Sequence, residues 1–475
     1  MKDGPMSDGD EGGAVPAGTA PVRTHRLIQH YRLTPEAAWR SPLPAELASR
    51  ARDAALLLAE RCTDPDGVAT ANQLCDQQTN FPRALHWAPT SIAQGDLGQA
   101  LLCGALAEVD TGADWAIRAR SWAASTAAAL RYGYRPPMGS VSGSSGIAFV
   151  GRRLDDPDLT QPLAALDGVI AHDALTTAAG IRGRRGMPVS TFDQISGLAG
   201  VLLCALPHAG RSARPVAPFV VRALTALALD AGSPPGWYTP PECLFDDEQR
   251  AYYPAGNINL GLAHGIPGPL AALALAVDCG LGAQDAVEAT TQLAGWLAAH
   301  VTLGDDGPGW ETVVPLVHGP GGLAELPVHD VGRDAWCYGT PGAARALFLA
   351  GRTLDRSDLR NLAIEAMAAV YRRPVERRGI DSPTFCHGVA GLLQITLRFH
   401  HDTGLPLFAE AASALTRQIL DAAEPDRPMG IANMEPGDNK VDQPGVLDGA
   451  AGVSLALLSA SSDVEPTWDR MFALS

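Results

Sequence analysis

The chain has 475 residues and a formal net charge of −16, from 36 basic and 52 acidic side chains. This balance argues against a nucleic-acid groove, which needs a basic stripe to displace counterions. No stretch reaches the roughly 18 apolar residues of a membrane span, and the first residues lack the apolar core of a secretory signal. We therefore expect a cytoplasmic protein that binds no nucleic acid and meets a membrane only through a complex, if at all.

The predicted helices begin after an N-terminal segment with few large apolar residues. Residues 1 to about 22 are mostly Gly, Asp, Ala and Pro, and the predicted disordered tail extends over residues 1–34. From about Pro35 the chain is rich in Ala and Leu at helical spacing, while the alternation typical of strands is rare. The sequence therefore predicts an all-α protein with one domain over residues 35–475.

A Gly-x-x-Gly pair followed by an apolar run recurs seven times. The first glycines of the pairs are Gly95, Gly143, Gly197, Gly265, Gly339, Gly388 and Gly449. Their spacing suits two helices per repeat, and a run that is apolar nearly all round is typical of a buried helix. The pattern predicts an α/α toroid of about seven inner and seven outer helices, with the glycine turns gathered at one end. An open helical solenoid is the alternative.

Two long intervals carry Pro-rich and aromatic segments, at residues 232–257 and 305–322. Connections of this length inside a compact domain are often functional loops. We expect both segments to lie at the mouth of a central cavity formed by the glycine turns.

Three of the repeats carry residues that can hold a metal or move a proton. Cys337 stands in WCYGTPG, Cys386 and His387 stand in FCHGVAG, and His264 stands in AHGIPG. If the repeats are spatially equivalent, these side chains converge. Two thiols and one imidazole form a good zinc set that leaves a fourth position open. The alternative is that the cysteines pack as small hydrophobic side chains, which we predict for the other six cysteines.

Three further candidate residues lie close to the glycine pairs: Asp193, Arg333 and Tyr338. Asp193 lies four residues before Gly197, and Arg333 lies four residues before the cysteine that Tyr338 follows. Each residue also has an ordinary interpretation: a helix N-cap for Asp193, a surface charge for Arg333 and an aromatic of the cavity rim for Tyr338.

The motifs together resemble those of the LanC-type lanthionine synthetases, the lanthipeptide cyclases. The matching stretches are SGLAG after Asp193, NLGLAHGIPG at 259–268, WCYGTPG at 336–342 and CHGVAG at 386–391. The resemblance implies an α-toroid with one zinc ion per chain, whose ligands match Cys337, Cys386 and His387. It also implies acid–base roles for His264 and Asp193, and further active-site positions at Arg333 and Tyr338.

The implied reaction adds a peptide cysteine thiol to dehydroalanine or dehydrobutyrine and closes a (methyl)lanthionine ring. Zinc would deprotonate the thiol, and His264 would protonate the α-carbon. Asp193 would either orient the imidazole and stabilise its protonated form or assist in thiol deprotonation. For Tyr338, donation of a hydrogen bond and stacking on the substrate both stay open. If the segment from Arg333 to Cys337 is helical, Arg333 lies one turn away and is placed to stabilise the enolate oxygen.

The resemblance also implies partners. We expect a dehydrated precursor peptide as substrate and a separate dehydratase, since the chain has no room for a second catalytic module. The second and third repeats leave little space for the SH2-like module of some bacterial members.

Three other functions stay open at this stage. One is addition of glutathione or another thiol to dehydroamino acids in proteins, and a second is a non-catalytic scaffold that binds a thiol peptide. The third is a zinc-dependent prenyltransferase-like subunit, which would need an aromatic cavity although aromatic residues are only 6% of the chain.

Overall fold

The structure, a computed structural model, describes residues 30–82, 87–111, 114–154, 160–181, 183–206, 214–230, 232–329 and 331–475. The predicted tail lies outside the described residues as far as residue 29. In its remaining part, the Tyr31 hydroxyl donates to Glu365 Oε2 at 2.6 Å, and the Thr34 amide donates to the Thr403 carbonyl at 2.9 Å. The domain boundary at residue 35 stays a prediction.

The apolar runs that follow the glycine pairs form the inner helices of the fold. These helices are α3 (Asp96–Val109), α5 (Ser144–Arg153), α7 (Leu198–Ala205), α10 (Pro267–Asp278), α12 (Thr340–Thr353), α14 (Val389–Thr403) and α16 (Ala450–Ser461). Each inner helix contacts the next one, and α16 contacts α3. The ring therefore closes, which confirms the predicted toroid and excludes the open solenoid.

A second layer of helices covers the ring. These outer helices are α1 (Ala45–Cys62), α4 (Trp115–Arg131), α6 (Thr160–Ile181), α8 (Ala217–Ala228), α11 (Gln284–Ala299), α13 (Ser357–Arg372) and α15 (Pro406–Asp421). Each packs on one or two inner helices, and α1 closes the layer by packing on α16. Two further helices, α2 (Pro65–Gln78) and α9 (Asp247–Tyr252), lie between repeats. Within the described ranges, no helix has both the length and the apolar character needed to cross a bilayer.

The second glycine of each pair allows a close approach that no other residue permits. A Cβ on Gly146 would overlap the carbonyl oxygen of Ser140, and a Cβ on Gly391 would overlap that of Phe385. In every repeat the oxygen belongs to the residue three positions before the first glycine. Glycine is required here because the start of the inner helix packs directly against the main chain of its own turn.

Main-chain hydrogen bonds join the seven turns into a closed rim. The Ala263 amide donates to the Cys337 carbonyl at 3.2 Å, the Cys337 amide to Cys386 at 3.2 Å, and the Cys386 amide to Leu447 at 2.8 Å. The remaining bonds of the circle run from Val446 to Ala93, Ile92 to Val141, Ser140 to Ile195, and Gln194 to Ala263. Since each inner helix begins directly after its turn, all seven helix N-termini lie at this rim.

The residues from Trp468 to Leu474, which we call the axial segment, fill the centre of the ring below the rim. Trp336 Nε1 donates to the Phe472 carbonyl at 3.0 Å, and Arg345 Nε donates to the Leu474 carbonyl at 2.9 Å. The rings of Trp336 and Phe472 meet edge to face at 5.5 Å. The toroid is therefore packed along its axis, and its open space lies at the rim.

Short strands form within the long connections. Strands β1 (Asn257–Asn259), β4 (Val313–Gly319) and β5 (Gly322–Glu325) make an antiparallel sheet in the order β1-β4-β5, with Ile258 opposite Val314. Two hairpins pair β2 (Thr302–Gly304) with β3 (Gly307–Gly309), and β6 (Asn433–Glu435) with β7 (Asn439–Val441). The sheet holds the end of the 232–257 segment against the 305–322 segment.

The close packing of the second glycines predicts the effect of one methyl group. We expect Gly146→Ala to lower the free energy of unfolding by about 1–3 kcal/mol, because the added Cβ forces the turn away from α5. The matched control is Gly295→Ala in α11, where a Cβ meets no atom within 4 Å. Gly295→Ala should raise the free energy of unfolding by about 0.5–1 kcal/mol. Denaturant unfolding of both variants checks the expectation, and equal effects would contradict it.

Candidate metal and acid–base site

The position directly before the first glycine of each repeat lies at the rim. In chain order it holds Gln94, Ser142, Ser196, His264, Tyr338, His387 and Asp448. The first three are neutral amide or hydroxyl side chains, whereas the last four include the groups best suited to acid–base and metal chemistry. The reactive half of the rim therefore belongs to repeats four to seven.

The two predicted thiols are neighbours at the rim. The bond from the Cys337 amide to the Cys386 carbonyl aligns the two turns. Interaction with the neighbouring Cys337 thiol, followed by burial, raises the pKa of Cys386 well above its ordinary value. The structure thus places two cysteines 49 positions apart on adjacent turns, and their role as metal ligands stays a prediction.

His387 extends this pair toward a carboxylate that sequence reasoning missed. Ligand atoms of Cys386, His387 and Asp448 all lie within 4.8 Å of one another, and Asp448 Oδ1 is 3.3 Å from His387 Nδ1. Among the described residues, this buried oxygen makes no hydrogen bond. The signal that could have found Asp448 is its position in the repeat, which is the position of His264 and His387.

Three of these side chains fit a divalent metal by their donor types and spacing. Cys386 supplies sulfur, His387 supplies nitrogen and Asp448 supplies a buried oxygen. Among the described residues, Cys337 does not belong to this close set, although it lies on the adjoining turn and could add a second sulfur. Sulfur and imidazole are the ligands of zinc sites, and a carboxylate beside a ligating imidazole is a common companion. The residues are thus suited to hold a metal ion at the reactive half of the rim.

Asp193 and His264 form a pair on the adjoining side of the rim. Asp193 is fully buried, and its Oδ1 accepts hydrogen bonds from the amides of Ser196 at 2.7 Å and Gly197 at 2.8 Å. Asp193 is therefore not the helix N-cap that one interpretation of the sequence predicted, because the N-cap of α7 is Gly197; its carboxylate instead holds the turn before the helix. Its other oxygen lies 2.6 Å from His264 Nδ1, so this contact orients the imidazole through Nδ1 and not through Nε2.

Tyr338 packs beside His264, with the two ring centroids 6.3 Å apart. Its hydroxyl accepts a hydrogen bond from Asn259 Nδ2 at 3.2 Å. Burial raises the pKa of Tyr338 to about 12, so the phenol stays protonated at neutral pH. Asn259 was quoted in the NLGLAHG stretch but not singled out, because only the strand pairing of β1 with β4 brings it to the rim.

The prediction that Arg333 lies one helical turn from Cys337 is wrong. The segment between them is a loop closed by an isolated bridge between Asp334 and Gly339. Gly339 has φ of +90°, which favours glycine, and the buried Asp334 carboxylate accepts a hydrogen bond from Arg373. A tight turn anchored from α13 therefore replaces the expected helix.

Arg333 nevertheless faces the same space as the other rim residues. It is exposed and lines a cavity of about 370 Å³ together with Tyr338 and Asn259. Its positive charge opposes the rise in the pKa of Cys386. Arg333 is thus near enough to act on negative charge that develops at the rim.

The long 232–257 segment forms one wall of this cavity, as predicted. Leu244, Phe245 and Tyr253 line it opposite Tyr338. The Phe245 ring meets the His264 ring edge to face at 5.3 Å although Phe245 is 56% exposed. An accessible aromatic side chain therefore covers one side of the imidazole.

The other six cysteines divide into two groups. Cys62, Cys75, Cys103 and Cys204 are buried, which confirms the packing prediction for them. The prediction is wrong for Cys279, which is exposed where α10 ends, and for Cys243, which lines the cavity from the 232–257 segment.

Comparison with known proteins agrees with this architecture. The nisin biosynthesis protein NisC of Lactococcus lactis subsp. lactis is 26% identical over 267 residues, which are 54% of this chain and 61% of that protein. The match thus spans less than two thirds of that relative. The solved structure of nisin cyclase superposes with a TM-score of 0.67 at 20% identity, covering 86% of this chain and 96% of that one. This likeness shows the fold.

A family model settles the relationship. The model described as lanthionine synthetase C-like protein matches residues 86–473, which include every rim turn and the whole reactive half of the rim. The chain belongs to the lanthionine synthetase C-like protein family.

Proposed function

We propose that this protein is a zinc-dependent lanthionine synthetase that closes thioether rings in a dehydrated precursor peptide. The observation that carries the proposal is that Cys386 and His387, on the turn hydrogen-bonded to that of Cys337, share one rim with the His264–Asp193 pair. A separate dehydratase and a cytoplasmic setting belong to the same proposal and rest on the resemblance of the motifs.

The proposed zinc ligands are Cys337, Cys386 and His387. A peptide thiol has a pKa of about 8.5, so only a small part is thiolate at neutral pH. Zinc at this set supplies deprotonation of the incoming thiol, and its two cysteine thiolates keep that sulfur electron-rich. The Asp448 carboxylate, 3.3 Å from His387 Nδ1, is placed to orient the imidazole and raise its basicity.

The acid–base pair completes the addition. As the peptide sulfur bonds to the β-carbon, the electrons of the carbon–carbon double bond move onto the amide oxygen as an enolate. The α-carbon then takes the proton carried by His264 Nε2, the nitrogen not in contact with Asp193, and the proton released by the peptide thiol restores the imidazole. Asp193 holds the ring in this orientation because its other oxygen is fixed by two main-chain amides.

Positive charge and hydrogen-bond donors surround the place where the enolate forms. Arg333 lines the cavity from its exposed side, and Tyr338 lines it with a protonated hydroxyl. The positive ends of the inner helices also lie at the rim, where they favour thiolate and enolate. Interactions with charge that develops only in the transition state accelerate the chemical step.

The proposed metal set predicts the zinc content of the protein. Purified wild type should contain about one zinc per chain, and Cys337→Ala should lower that content because a sulfur ligand is lost. The matched control is Cys204→Ala: Cys204 is buried in α7, where burial raises the pKa of its thiol to about 12. Metal analysis after zinc loading checks this, and a metal-free wild type would refute the zinc proposal.

Asp448 should affect the zinc affinity of the protein although it is not one of the proposed ligands. Asp448→Ala is expected to weaken zinc binding about 10- to 100-fold, the usual effect of removing a carboxylate beside a ligating histidine. Competition with a chromophoric chelator measures the change. The control Asp442→Ala removes another buried carboxylate of the same connection, one paired with Arg427. An unchanged zinc affinity in Asp448→Ala would show that His387 does not depend on this contact.

His264 should be needed for cyclisation and not for zinc. His264→Ala is expected to keep its metal and to cyclise about 10²–10⁴-fold more slowly. The substrate is a peptide with one dehydroalanine and one cysteine, and ring closure is read as an unchanged mass with loss of an alkylatable thiol. His300→Ala is the control, since His300 also pairs with a carboxylate, Glu325 at 2.9 Å, away from the rim.

The same assay separates the other candidate functions. Glutathione addition would increase the mass of a dehydroalanine substrate, and a scaffold would bind the peptide without changing its thiol. Wild-type rates in His264→Ala would assign the proton transfer to another group.

A further inference from the structure

A hydrogen bond from Asn259 determines how the Tyr338 hydroxyl can be used. Asn259 ends β1 and is only 8% exposed. Its side chain bridges two groups: Oδ1 accepts from the Gly261 amide at 2.9 Å, and Nδ2 donates to the Tyr338 hydroxyl at 3.2 Å. The side chain is thus held at both ends.

The chemistry of the two contacts fixes the orientation of the Asn259 amide. A main-chain N–H can only donate, so the atom of Asn259 that meets Gly261 must be the carbonyl oxygen. The NH₂ group then necessarily faces Tyr338. A flipped amide would place two donors against each other at Gly261 and is excluded.

This orientation leaves the Tyr338 proton unused. A tyrosine hydroxyl has one proton and two acceptor positions, and the bond from Asn259 occupies one acceptor position. Among the described residues, no acceptor takes the Tyr338 proton. Since Tyr338 lines the cavity of about 370 Å³ beside Arg333, that space is where its donor can find a partner.

A glycine makes the position of the ring possible. A Cβ on Gly261 would come within 2.5 Å of Tyr338 Cδ1 and 2.6 Å of Cε1, so the ring lies directly on the glycine main chain. Gly261 also supplies the amide that orients Asn259. One three-residue stretch, Asn259–Gly261, therefore seats the ring and directs its hydroxyl.

We propose that Asn259 is a positioning residue that makes Tyr338 a hydrogen-bond donor to the substrate amide oxygen on which the enolate forms. The inference rests on the proposed function for the identity of that oxygen. Tyr338 and Arg333 then meet the same oxygen from two walls of the cavity, whereas a stacking role for Tyr338 would not require a directed hydroxyl.

A double-mutant cycle tests the proposal in the zinc-loaded protein. Tyr338→Phe should lower kcat for the peptide with one dehydroalanine and one cysteine by about 10²-fold, the effect of losing one donor to a developing oxyanion. Asn259→Asp keeps the acceptor for Gly261 but replaces the NH₂ with an oxygen that takes the Tyr338 proton. It should cause a similar loss, while zinc content and KM change little.

The combined variant gives the decisive comparison. If Asn259 acts through the hydroxyl, adding Asn259→Asp to Tyr338→Phe should cause no further loss. The matched control is Asn257→Asp, which changes a buried asparagine of the same strand that also lines the cavity. Asn257→Asp should change kcat by the same factor whether residue 338 is tyrosine or phenylalanine. Independent effects of Asn259→Asp and Tyr338→Phe, or full activity of Tyr338→Phe, would overturn the proposal.

A spectroscopic measurement separates this inference from the proposed function. In protein labelled at tyrosine ¹³Cζ, Tyr338→Phe identifies one of eight resonances, and Asn259→Asp should shift that resonance. An unshifted resonance overturns the positioning role whatever the activity. A wild type that never cyclises the peptide removes the substrate oxygen as the acceptor, yet the resonance still reports whether Asn259 holds the phenol.

Discussion

The closed circle of main-chain hydrogen bonds at the rim is the constraint on which the site depends. It links successive turns whose first glycines are 48 to 74 residues apart, joins the last turn to the first, and uses main-chain groups that every residue except proline has. Side chains at the same repeat position are therefore brought to adjacent places whatever their chemistry. Cys337 and Cys386 meet because their turns are hydrogen-bonded to each other, and the second glycines let each inner helix begin directly behind its turn.

The seven turns share one main-chain arrangement but carry side chains of different chemistry. The first three turns present Gln94, Ser142 and Ser196, while the last four present ionisable or metal-binding groups. All seven inner helices begin at the rim, so anions near it meet several positive helix ends. The side chains at the rim can therefore differ between sectors without altering the packing that closes the ring.

The sequence predicted the framework well because its signals are local and repeated. Glycine pairs and apolar runs determine the inner helices, and the repeat frame predicted that Cys337, Cys386, His387 and His264 lie on neighbouring turns of one rim. The roles of these residues stay predictions. Contacts between repeats were harder to foresee. The expected helix at Arg333 is a loop because Arg373, from an outer helix, binds Asp334. Asn259 depends on strand pairing. Asp448 was missed although it holds the repeat position of His264 and His387, because a lone carboxylate matches no metal or acid–base motif by itself.

The axial segment has a consequence for how a long peptide reaches this site. Because Trp336 and Arg345 hold Phe472 and Leu474 in the middle of the ring, the axial segment blocks the ring below the cavity at the rim. Under the proposed function, a peptide substrate would not thread through the toroid from one side to the other. It would enter as a bend and leave by the same opening, so successive rings would form in separate binding events and not during one continuous passage.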